Sequence, residues 1–174
     1  MKRRQEMVNH ITELMNETTE KRKQRWHELD YEPIKSQLQK FLGYLEDPTH
    51  NIVISYLKSS YVTNSHHFKI AIYAKAPFVE LYPCCEYIDM KLLFSGVEAD
   101  IELFVKELRR KFAHFLKSEQ EEIRRYYMEL LYVESELVFK LILAQIYKNE
   151  KMPSILFGAE LSEVKPIEME VLLI

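Results

Sequence analysis

Neither glycine nor proline interrupts residues 97–149, and an apolar stripe runs along their first half. Val97, Ile101, Phe104, Val105, Leu108, Phe112, Phe115 and Leu116 recur at the short intervals that build one face of an amphipathic helix. Ser95-Gly96-Val97-Glu98 opens the stretch as a capping box, and Ser118-Glu119-Gln120-Glu121 repeats the pattern. The spacing predicts one helix from 97 and a second from 119 to about 149, with one unbroken helix as the alternative. Residues 137–147 are apolar on most sides, so that end is expected to lie deep in a core.

Upstream the hydrophobic period changes. Met7, Ile11, Leu14, Met15 and Thr18 share one helical face, and Trp26 and Leu29 continue it, so residues 3–29 read as a helix. Asp30-Tyr31-Glu32-Pro33 breaks it, because proline disfavours helical geometry at the residue before it and suits a first turn. Ile34, Leu38, Phe41, Leu42 and Leu45 then form the face of a second helix. Beyond the turn cluster at 46–51 the period drops to two. Ile52–Tyr61, His67–Lys75, Phe78–Tyr82 and Tyr87–Phe94 read as strands with short connections, an antiparallel meander. After Met152-Pro153 a loop containing Gly158 is expected, then a last strand from Pro166 to Ile174.

The expected fold is therefore α+β, in the order αα-βββ(β)-αα-β. It is an antiparallel sheet of about four strands with long C-terminal helices packed on one face and an N-terminal helical arm. The chain is read as a single domain over 1–174, the arm occupying 1–47 and the α+β core 51–174.

Charge narrows the function classes. The first fifty residues carry nine basic and nine acidic side chains, so they lack the basic excess of a general nucleic-acid binder. No run approaches the length of a membrane span, and the residues after Met1-Lys2-Arg3-Arg4 are not the apolar core of a secretion signal. Cys84 and Cys85 are the only cysteines, and neighbouring Cα atoms lie too close for an unstrained disulfide. A soluble, cytoplasmic protein is expected. With three glycines in the whole chain, a glycine-rich phosphate cradle cannot be built. No catalytic constellation is visible and no cofactor is expected.

Three functional readings survive. The favoured one is a non-enzymatic interaction protein that binds a protein partner or itself, as a homodimer, through an apolar helix face or a sheet edge. Trp26, Tyr31, Tyr126 and Tyr127 are its expected anchors, because surplus aromatic residues on helices often mark protein surfaces. The second is a nucleic-acid-associated regulator using Lys21, Arg22, Lys23 and Arg25, although flanking acids at Glu17 and Glu20 favour intrahelical pairing. The third is a metal or thiol site at His66, His67, Cys84 and Cys85. If Ala76-Pro77 closes a two-residue hairpin, Cys85 faces Phe68 and His67 sits one residue along. Adjacent strand residues point to opposite faces, however, and no C-x-x-C spacing is present.

Overall fold

The computed structural model describes residues 2–45, 47, 49–74, 76–77, 84–112, 114–148, 153–160, 162 and 164–167. The expected strand at Phe78–Tyr82 lies outside these residues, as do positions 168–174 of the expected last strand. The chain divides into two compact units, each made of two stretches. One takes the residues up to Leu29 with Phe94–Glu134; the other takes Asp30–Leu93 with the described residues from Ser135 onward. The N-terminal arm of the sequence reading is thus shared between the two.

The first unit is built from three helices: α1 (Lys2–Trp26), α5 (Val97–Lys111) and α6 (Lys117–Glu134). Their directions follow from the contacts. Arg22 meets Asp100, and the His10 ring lies 6.5 Å from that of Phe112, so α5 runs antiparallel to α1. Lys23 Nζ lies 3.0 Å from Glu134 Oε2, while Met7–Met15 line a groove with Glu119–Tyr126. The same offset in both places makes α1 and α6 parallel. Met15, Phe104, Tyr127, Met128, Leu131 and Tyr132 are buried, with the Phe104 ring edge-on to Tyr127 at 4.8 Å.

Two helix starts differ from the capping boxes. The residue before α5 is Gly96, at φ 78°, a left-handed conformation that glycine adopts without a Cβ penalty. At α6, Glu119 Oε2 accepts a 2.7 Å bond from the Leu116 backbone N–H, in place of the expected Ser118 cap. The break between α5 and α6 falls at Phe112–Leu116. It is made by an extended Phe112 (φ −123°, ψ 120°) and a left-handed His114 (φ 60°).

The second unit is a five-stranded mixed sheet in the order β3-β2-β1-β4-β5, with helices α2 (Glu32–Leu42) and α7 (Glu136–Ile146). The strands are β1 (Asn51–Tyr56), β2 (His67–Tyr73), β3 (Cys84–Asp89), β4 (Ile155–Ala159) and β5 (Val164–Pro166). The sheet corrects the expected meander, because β4 pairs parallel to β1 in the segment read as a loop. Two expected strands end early in helical turns: α3 (Ser60–Thr63) takes the last two residues of Ile52–Tyr61, and α4 (Lys91–Phe94) takes the last four of Tyr87–Phe94.

Ile52, Ile54 and Tyr56 face the same side as their partners Ile72, Ile70 and Phe68, as the two-residue period requires. Phe139 of α7 packs on that side, 5.2 Å from Phe68 and 5.9 Å from Phe157 between ring centres. The opposite face carries a smaller cluster of Val53, Ala71 and Tyr73 with Leu156 and Val164.

Candidate functional site

An apolar concavity of the first unit lies between the parallel helices α1 and α6. Met7, Val8, Ile11, Thr12 and Met15 line it from α1, and Glu119, Glu122, Ile123, Arg125 and Tyr126 from α6. Helical periodicity explains the lining. The α1 positions recur at four-residue steps on the flank of its buried face, so they lie one above another. On α6 the positions Ile123, Tyr126, Leu130 and Val133 alternate three- and four-residue steps, the spacing of a helix–helix seam.

The inner members of the two rows are core residues: Met7, Ile11, Met15 and Ile123 are buried. The outer members meet solvent, with Val8 44% and Tyr126 54% exposed. Exposed apolar side chains beside an apolar groove cost water contact that a covering partner would relieve. The cavity measures about 210 Å³. That is below the roughly 300 Å³ at which pockets for whole cofactors begin, and suits a few inserted side chains.

Beside the groove lies a buried polar cluster within the same three helices. Arg22 Nε donates to Asp100 Oδ2 at 2.5 Å and to Tyr127 Oη at 3.1 Å, and its Nη1 donates to the Ser95 carbonyl at 2.9 Å. Tyr127 Oη donates to the same Asp100 oxygen at 2.9 Å. Burial, aided by the Asp100 charge, pushes the Tyr127 hydroxyl well above the ordinary tyrosine range. The cluster holds the three helices in register. One turn before Arg22, Thr19 Oγ1 is buried with no hydrogen-bond partner among the described residues.

Of the four expected partner anchors, only Tyr126 stands on the surface. Trp26 is 2%, Tyr31 8% and Tyr127 0% exposed. They are corrected to core residues, because an aromatic ring already surrounded by its own chain has no face left for a partner. Tyr126 and Tyr127 separate because neighbours on a helix point about 100° apart.

The basic helix cluster also disperses. Arg22 is 3% exposed and belongs to the Asp100–Tyr127 cluster. Lys23 pairs with Glu20 at 2.9 Å and with Glu134 at 3.0 Å; desolvation alone would lower its pKa, but these carboxylates raise it. Lys21 and Arg25 alone remain exposed, so the cationic surface required for phosphate contacts is reduced to two side chains.

The Cys/His corner loses its geometry. Cys85 pairs with Ala71 and Cys84 with Ile72, while His67 pairs with Asp89. This register lies three residues away from the one that a two-residue hairpin at Ala76-Pro77 would set. Ala71 is four residues from His67, about 14 Å along a strand. Both thiols are exposed on this edge strand, and among the described residues no three His, Cys, Asp or Glu side chains converge to hold a metal.

No described helix is long and apolar enough to cross a membrane. Compared with protein-family models, with curated proteins and with solved structures, the chain matches none of them.

Proposed function

We propose that the protein is an interaction module that binds a protein partner through the groove between α1 and α6. The observation that carries this reading is the apolar lining between the two helices, where Tyr126 of α6 and Val8 of α1 are exposed on either side of the buried Met7, Ile11, Met15 and Ile123. Helix-in-groove recognition uses such a lining, with anchors seated at three- and four-residue steps.

The test is a comparative capture from lysate of the native host. Three baits are used: wild type, Val8→Asp/Tyr126→Asp, and Tyr87→Ser, a surface variant of the sheet unit. The reading predicts a protein retained by wild type and Tyr87→Ser, lost by the double variant, and indifferent to nuclease. A partner set shared by all three baits would refute the groove. Loss on nuclease treatment would point to nucleic acid.

A further inference from the structure

We draw no further inference here: the strongest candidate, the surface patch of exposed Lys106, Lys111 and Lys117 around Leu116 at the turn from α5 to α6, sits in a stretch, residues 102–122, whose glutamates leave it no net charge, and nothing in the structure shows what covers it.

Discussion

Arg22 and Asp100 lie far apart in the chain, and their side chains meet at 2.5 Å with both largely withdrawn from solvent, at 4% and 14% exposure. The pair ties the C-terminal part of α1 to the first turn of α5, and the Tyr127 hydroxyl adds α6 to the same bond network. A buried pair is a weak source of net stability, but removing one member strands the other. Arg22→Met is predicted to cost about 3–5 kcal/mol in urea unfolding. Arg22→Met/Asp100→Leu, which removes both charges, should cost less than the single change. A loss for Arg22→Met below about 1 kcal/mol, the scale of exposed pairs, would contradict the arrangement.

Thr19 gives a prediction of the opposite sign. Its Oγ1 is buried and makes no hydrogen bond among the described residues, so its desolvation is uncompensated. Thr19→Val keeps the shape and removes the hydroxyl. The expected gain is about 1 kcal/mol, read as a higher denaturation midpoint at unchanged slope. Destabilisation by a similar amount would mean that the hydroxyl is bonded.

Alkaline stability should report on Tyr127. Its native pKa stands above the ordinary 10.0, so the folded chain keeps a proton that the unfolded chain loses. The associated stability is complete below pH 10.0 and is lost as pH rises from there toward the raised native value. Lys23 and Lys69 are also raised, from 10.5, and act in the same direction above that pH. Wild type should therefore lose stability steeply above pH 10.0, with Tyr127 contributing up to roughly 1.4 kcal/mol per pH unit. Tyr127→Phe should start lower at neutral pH and decline less steeply. Parallel slopes for the two proteins would contradict the placement of Tyr127.

Both cysteines are exposed on the edge strand β3. Native protein is predicted to titrate two thiols per chain with Ellman's reagent, as fast as denatured protein within a few-fold. Cys84→Ser/Cys85→Ser should change stability by less than about 0.5 kcal/mol. A thiol that reacts only after unfolding would show that this strand is covered.

The helices were legible where one local period controls them. Met7, Ile11 and Met15 on α1, and Val97, Ile101, Phe104, Val105 and Leu108 on α5, are buried as their spacing requires. The exits from regular structure were harder to read. Phe112 and His114 end α5 through backbone angles at residue types that carry no turn signal. Strand β4 was missed because Ile155–Ala159 is short, contains Gly158 and pairs in parallel with a strand about a hundred residues earlier. The Cys/His register failed because it assumed a two-residue turn, and the pairing of β3 with β2 lies three residues away from the register that turn would set. The groove was half legible. Tyr126 was singled out, but only the packing of α1 beside α6 brings Val8 and Ile11 to it. Nothing in the local pattern distinguished Arg22, a cation in the core, from its solvated neighbours Lys21 and Arg25.

The most direct test of the docking account is a methyl NMR titration with the protein that the wild-type bait retains. The account predicts progressive shifts at Met7, Ile11, Met15 and Ile123, which line the groove. Ile54, Ile70 and Ile142, buried in the sheet unit, should stay in place. Shifts absent from the groove methyls, or larger at the sheet methyls than at Met7 and Ile123, would contradict it.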